Sequence, residues 1–461
     1  MRLFVIVSLF SICACAGFWL QGCAAPDGEK MKAKVDTDAY RMIDHKWKDD
    51  FGVKANYRID KAQKSPNDIS TGRTVAVGTI LTLPQAVATA IDHNRVYQSE
   101  KENLYIKALD LRLVRHQFEP ILFGSGAAEY IKTRRGEAIE DKASLGVQKM
   151  FETGAVIGVN VTLSWIDVLS GDARGGFSRM LTVAGTQPLL RGSDPNIVLE
   201  NLTQAERDLL YQVRSFNRYR KEFVVSIIDQ YYEVLKAYDR LENASRNYDV
   251  LLNVCGSAEK LAEAGRLPQY EFDQAVQDKL IARDTLIQSQ KTYKQLLDDF
   301  KLSLALQTTT EFGIDYNELE AMRQVSMTMP GFSETEAIET AMASRLDLAN
   351  AYDAVNDAER KVRVALDGTR PDLRLAAAAG LKSKNTSDPT TLGRSRDTAA
   401  IGLQFDPQLD KTALENDYRL SLIILEQNRR FYEEKSDTIT RDIREVYRDL
   451  TEAAQRYQVQ T

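Results

Sequence analysis

Ala86-Val87-Ala88-Thr89-Ala90 and Ala337-Ile338-Glu339-Thr340-Ala341 are one pattern written twice, 251 positions apart. The offset persists downstream: Pro120 recurs as Pro371. Upstream, Thr82 can cap a helix, and Ser333 with Glu336 forms a capping box at the matching place in the second copy. In the first copy Leu83, Val87, Ala90 and Ile91 fall on one face, and Leu104, Ala108, Leu111 and Val114 continue it. That spacing predicts one helix from Thr82 to Pro120, where the ring stops it. Two copies are too few for a solenoid, so the chain reads as a duplicated protomer.

After each proline the period changes from helical to two. Ala155, Ile157, Val159, Val161, Leu163 and Trp165 alternate with Val156, Gly158, Asn160, Thr162 and Ser164. The length and the terminal aromatic suit a membrane-spanning strand with an interfacial girdle. A soluble sheet with one wet face produces the same alternation, so the period alone leaves both open. Leu122 to Lys132, Ser144 to Phe151 and Met180 to Pro188 are further strands, with Glu152-Thr153-Gly154 as a hairpin turn. The second copy offers Leu373 to Leu381 and Ala399 to Phe405.

A long helix follows. Leu202, Leu209, Phe216 and Phe223 hold a seven-residue register, which Ile227, Val234, Leu241 and Tyr248 resume after a four-residue step. Tyr231, Tyr238 and Leu252 add a second stripe, so the helix, read from Asn196 to Ala264, packs to both sides. At about 1.5 Å per residue it runs on the order of 100 Å. Ala264-Gly265-Arg266-Leu267-Pro268 breaks it, because glycine can take a left-handed cap and proline ends continuation. A return helix from Gln269 to Leu306 makes an antiparallel hairpin with its tip at Gly265. Arg214, Arg218, Lys221 and Glu222 read as a solvated face of the long helix, and Cys255 as a packing residue.

At the N-terminus Arg2 precedes an apolar run from Leu3 to Leu20, closed by Leu20-Gln21-Gly22-Cys23. This is a secretory signal whose end resembles the bacterial lipobox, in which Cys23 is lipidated and becomes the first residue. An uncleaved anchor is the alternative, since about 18 apolar residues can just span a bilayer. The small residue before Cys23 and the polar segment after it suit cleavage. Residues 24–80 read as a tether, with Tyr40 to Trp47 as its one short helix. Basic and acidic residues are mixed along a chain of net charge −6, so no stripe could neutralise a phosphate backbone and nucleic acid is excluded as a partner.

The order of helix, strands, coiled-coil hairpin, then the same again behind a lipobox resembles the TolC-like outer-membrane efflux proteins. Leu81-Thr82-Leu83-Pro84-Gln85-Ala86 is similar to the opening of that family's first barrel-bound helix. Thr186-Gln187-Pro188-Leu189-Leu190-Arg191-Gly192 is similar to its strand-to-helix junction. Gly265, Arg266 and Leu267, followed by Glu271 and Phe272, resemble its adaptor-docking tip, although Glu271 replaces a usual aspartate and Arg266 a small or apolar residue. The resemblance implies an α+β membrane protein. Three chains would share one twelve-stranded β-barrel above a periplasmic α-helical tunnel, lipid-anchored and inserted in the outer membrane. It also implies a passive duct of a tripartite efflux or type I secretion system, whose partners are a membrane-fusion adaptor and an inner-membrane transporter. On this reading the divisions are 1–22 signal, 23–80 anchored polar segment, 81–119 first helix, 120–192 barrel strands, 193–307 hairpin and 308–332 linker. The second copy supplies 333–370 as helix, 371–410 as strands and 411–461 as a long helix.

No enzyme is expected. His45, His93 and His116 lie far apart, no Cys-x-x-Cys occurs, and neither a phosphate-binding loop nor a nucleophile elbow is present, so no metal or cofactor is called for. A periplasmic adaptor lipoprotein or a structural envelope coiled coil is the alternative; the duplication and the Ala155 to Trp165 strand weigh against both. Ile228, Tyr232 and Leu235 match Ile443, Tyr447 and Leu450 at an offset of 215, which puts a second tip near position 480 and predicts that the last helix is truncated at Thr461.

Overall fold

The computed structural model describes residues 27–48, 51, 54, 56–59, 80–133, 136–171, 175–323, 331–383 and 394–460. The signal, the lipobox and Cys23 lie outside them. The first element is α1 (Gly28–Lys46), capped by Asp27, whose carboxylate accepts from the Glu29 and Lys30 amides. It is longer than the expected Tyr40 to Trp47 segment, and it docks. Ala39, Tyr40, Met42 and Ile43 are buried on it, and Trp47 packs edge-on to Phe216 at 6.4 Å. Ala39, Tyr40, Met42, Ile43, Trp47, Phe51 and Tyr57 of the segment read as tether are therefore core.

A two-residue strand β1 (Ile80–Leu81) precedes α2 (Leu83–His93) and α3 (Arg95–His116). The single helix expected from Thr82 to Pro120 is thus two. Asn94 sits between them with extended backbone, its side chain accepting from the Tyr97 amide at 2.9 Å and donating to the Ser303 carbonyl at 2.8 Å. The second copy breaks at the same place: α8 (Glu334–Ser344) and α9 (Leu346–Gly368) flank Arg345, which lies 251 residues after Asn94 and is also extended. The apolar register runs through both breaks in phase, so periodicity could not reveal them.

Four strands follow α3: β2 (Ile121–Thr133), β3 (Gly136–Met150), β4 (Val156–Gly171) and β5 (Gly176–Pro188). After the four-residue α4 (Pro195–Val198) comes α5 (Glu200–Glu263), 64 residues long, and α6 (Gln269–Ser303) returns along it. The return helix stops short of Leu306 because Ala305 takes a positive φ of 58°. A short β6 (Gly313–Ile314) pairs in parallel with β1, and α7 (Asn317–Arg323) leads toward the second copy. That copy contributes β7 (Asp372–Ser383), β8 (Arg394–Asp406) and α10 (Thr412–Gln460).

All six long strands form one antiparallel sheet in the order β2-β3-β4-β5-β7-β8. The two copies are unequal here, four strands against two, and six strands exceed the four per chain that a twelve-stranded trimer would take. The main core lies beside the sheet's helical end, where α1, α3 and α5 meet. Tyr97 stands at its centre, 5.0 Å from the Phe223 ring and 5.9 Å from Phe216. A smaller core joins Ala341, Leu348 and Ile439 of the second copy.

Candidate duct, junction and docking tip

The sheet's two faces differ along every ladder. One row crosses all six strands as Leu122, Val147, Val159, Val183, Ala379 and Ala399. The next row, on the opposite face, is Phe123, Gly146, Asn160, Thr182, Gly380 and Thr398. Because strand side chains alternate, the sheet has a more apolar face and a more polar face, with Phe123 and Met180 standing on the latter. On the polar face Ser125 and Ser144 hydroxyls meet at 2.7 Å, and the Lys142 ammonium pairs with Glu140 at 3.0 Å. On the apolar face Trp165 and Phe177 pack at 5.9 Å, with the Arg179 guanidinium 5.2 Å from the Phe177 ring. These rings and the cation close that end of the apolar face. Among the described residues no helix is long and apolar enough to cross a membrane.

The sheet meets the helices through a turn and a junction that touch. Residues 152–154 make the expected hairpin turn: the Phe151 amide donates to the Ala155 carbonyl at 2.8 Å and the Gly154 amide to the Phe151 carbonyl at 2.9 Å. Gly154 has φ +76°, and a Cβ there would lie 2.7 Å from the Gly192 carbonyl oxygen and 2.8 Å from Pro188. Gly192, φ +70°, turns the chain from β5 toward α5, and its amide donates to the buried Asp367 carboxylate of the second copy at 2.8 Å.

Below the junction a charged network ties α5 to α9. Arg360 donates to both Glu200 oxygens at 2.9 and 3.2 Å and pairs with Asp357 at 2.8 Å. Asp357 also accepts from the Tyr211 hydroxyl at 2.6 Å and pairs with Arg207 at 3.1 Å. Arg214 pairs with Asp353 at 2.6 Å, and Arg218 with Asp347. The solvated-face reading is corrected for Arg214, whose side chain is 12% exposed and points between the helices. Lys221 and Glu222 do lie exposed. Burial and the hydrogen bond to Asp357 together push the Tyr211 hydroxyl well above its ordinary range. Arg360 is raised too, because Glu200 and Asp357 outweigh the burial that acts against its charge.

At the far end of α5 the break forms a complete Schellman cap. The Gly265 amide donates to the Ala262 carbonyl and the Arg266 amide to Leu261, each at 2.9 Å. Gly265 has φ +64° with nothing within 4 Å of a would-be Cβ. Arg266 and Glu271 are exposed, Leu267 and Phe272 half-buried, and Tyr270 is 69% exposed with its hydroxyl donating to Glu271 at 3.0 Å. Sequence reading passed over Tyr270; its place at the first turn of α6 was the available signal. Cys255 is buried, as its heptad position predicts. The sheet and the tip lie at opposite ends of the long hairpin, and no three His, Cys, Asp or Glu side chains among the described residues could hold a metal ion.

No protein-family profile matches the chain, and no curated protein sequence matches it. Solved structures do. The outer-membrane channel OprN superposes with a TM-score of 0.57 at 13% identity, covering 89% of this chain and 81% of that one. CusC, described through its folding and transmembrane channel formation, gives 0.55 at 15% identity over 87% and 86%. The outer-membrane protein VceC of Vibrio cholerae gives 0.52 at 13% identity over 77% and 75%. At such identities the likeness speaks to fold, and the fold is theirs.

Proposed function

We propose that this chain, built on the fold of the TolC-like outer-membrane channels, is one protomer of a trimeric, passive export duct in the outer membrane. The observation that carries the reading is the six-stranded sheet with one apolar and one polar face, set on a helical hairpin too long for a compact domain. A sheet in lipid must have no free edge, and six strands are fewer than the eight that the smallest such barrels use. Closure therefore comes from sister chains. The polar face would line a hydrated passage while the apolar band meets lipid, and α5 with α6 would continue the wall into the periplasm.

In this reading Cys23 carries lipid that adds a second hold on the membrane. Gly265, Arg266, Leu267, Glu271 and Phe272 form the tip that meets a periplasmic membrane-fusion adaptor, and an inner-membrane transporter supplies the energy for efflux or secretion. The chain itself needs no cofactor and catalyses nothing. A periplasmic adaptor would have no use for an apolar-faced sheet of this width. The test is reconstitution of the detergent-purified protein into a planar lipid bilayer, with a parallel unheated gel. Discrete conductance steps and a heat-sensitive trimer band are expected; a sealed bilayer and monomer alone would overturn the proposal.

A further inference from the structure

The two edges of the sheet are long, flat and bare. Every residue from Leu122 to Tyr130 on β2 and from Asp397 to Asp406 on β8 is exposed, with Leu122 at 78% and Ile401 at 77%. Neither edge is blunted by proline, and an uncovered edge of this kind pairs with another strand. Ile121 to Ala128 and Thr398 to Phe405 are stretches of eight residues without a charge, one on each edge. Set side by side antiparallel they match in length. The strand count permits it: six alternating strands leave β2 and β8 running in opposite directions, so β8 of one copy meets β2 of the next with every pair antiparallel.

The hairpin of β2 and β3 is as much a part of this sheet as the strands that follow it. The β3–β4 ladder runs from Gly136↔Gly171 to Met150↔Val156, and the faces keep their character across it: Leu145 lies opposite Val161, and Ser144 opposite Thr162. The turn that joins β3 to β4 is seated against Gly192 and Pro188. Nothing sets the hairpin apart as an appendage.

We infer that three copies close a barrel of eighteen strands, six from each, through a β8-to-β2 seam in which Ile401 faces Gly124 or Gly126 of the neighbouring chain. Face parity limits the partners, because Ile401 shares the apolar face with even-numbered residues of β2. The inference rests on the trimeric reading above and changes its outlet. With strands about 4.8 Å apart and tilted about 40°, a twelve-stranded barrel is about 24 Å across between backbones and an eighteen-stranded one about 36 Å. The duct would open into a mouth more than twice as large in cross-section, suited to a cargo wider than a small drug-like solute.

Cysteine pairs decide it, on a Cys255→Ser background in the membrane-inserted full chain. Ile401→Cys is combined with a cysteine at Leu122, Gly124, Gly126 or Ala128 of β2, and separately at Ile157, Val159, Val161 or Leu163 of β4, the strand that would be the edge of a four-stranded set. A short thiol cross-linker should give covalent dimers and trimers with β2, strongest at Gly124 or Gly126, and none with β4. Cross-links to β4, or trimers that link at neither edge, overturn the eighteen-strand seam and leave the trimer standing. Absence of both cross-links and trimers overturns the trimeric reading with it. Because a paired variant can fail to insert, a strand count in a density map of the unmodified oligomer is the second readout: eighteen is expected, and twelve refutes the inference.

Discussion

Replacing Asp357 by alanine should loosen the joint between the two copies more than any other single change on α9. Its carboxylate accepts from Tyr211 at 2.6 Å, from Arg360 at 2.8 Å and from Gln204 at 3.3 Å, and it pairs with Arg207 at 3.1 Å, all at a residue 5% exposed. Removing one member of a buried ion pair costs about 3–5 kcal/mol when the other charge is stranded. Here the stranding is partial, since Arg360 keeps Glu200 and Arg207 keeps Asp353 at 3.4 Å. The lower end of that range applies, with about 1 kcal/mol more for the Tyr211 hydroxyl left without an acceptor, so about 3–4 kcal/mol in all. Asp357→Asn keeps an acceptor for Tyr211 and should lose about half as much. The assay is denaturant unfolding of the detergent-solubilised protein followed by helical circular dichroism, with Tyr211→Phe completing a double-mutant cycle whose coupling should be about 1–2 kcal/mol. An Asp357→Ala midpoint within about 0.5 kcal/mol of the parent, the usual range for surface changes, would refute the view that this network holds α5 to α9.

Gly154→Val should fail at the turn, because φ +76° and a Gly192 oxygen 2.7 Å from the new Cβ add a backbone clash to left-handed strain of about 1–2 kcal/mol. Gly192→Ala, with φ +70° but open space, should assemble nearly normally; equal amounts of both variants in the outer membrane would contradict the packing argument. At the tip, Gly265→Val carries strain of about 1–2 kcal/mol without a clash. Oligomers should form while adaptor cross-linking near Leu267 and export fall, and unchanged cross-linking with unchanged export would remove the tip assignment. Glu206 predicts a pH dependence. Burial alone would raise its carboxyl, but hydrogen bonds from Arg115 at 2.7 Å and Lys46 at 3.0 Å outweigh it and hold the group below its usual 4.5. A depressed folded value means stability that is present above the unfolded pKa and lost as pH falls through the folded one. Unfolding midpoints should therefore drop below about pH 4 by more in the parent than in Glu206→Gln, and identical declines would count against the α1 docking contact.

The architecture was legible where single residues impose their geometry. Pro120 and Pro371 end helices, Gly265 and Gly154 take positive φ, and the Ala155 to Trp165 alternation became β4, which runs on to Gly171. Legibility failed where the signal depends on what the chain meets. Charges at Glu137, Glu140, Asp141 and Lys142 interrupt the alternation, so β3 began at Gly136 instead of Ser144. In the sheet Glu137 pairs with Lys132 of β2, and Glu140 accepts from Ser164 of β4. Arg214 and Asp353 stand 139 residues apart, and nothing in a heptad says which charges will meet. The breaks at Asn94 and Arg345 preserve the apolar phase and were invisible to it. Of the candidate site, the helix break at Gly265 was readable from its cap, and the four strands of the first copy and two of the second each left a trace in the sequence; that all six join one sheet did not, because pairing is a property of the sheet and not of any one strand.

The central claim is that the apolar face of this sheet meets lipid and the polar face meets water. The most direct test places single cysteines, on a Cys255→Ser background, at Val159 and Val183 of one face and at Asn160 and Thr182 of the other, which alternate along paired strands. Intact outer membranes are then treated with a water-soluble, membrane-impermeant thiol reagent admitted from both sides. Labelling at Asn160 and Thr182, with Val159 and Val183 protected until detergent is added, is the predicted result. Equal labelling at all four positions would mean that water bathes both faces, and the sheet would not be a membrane wall.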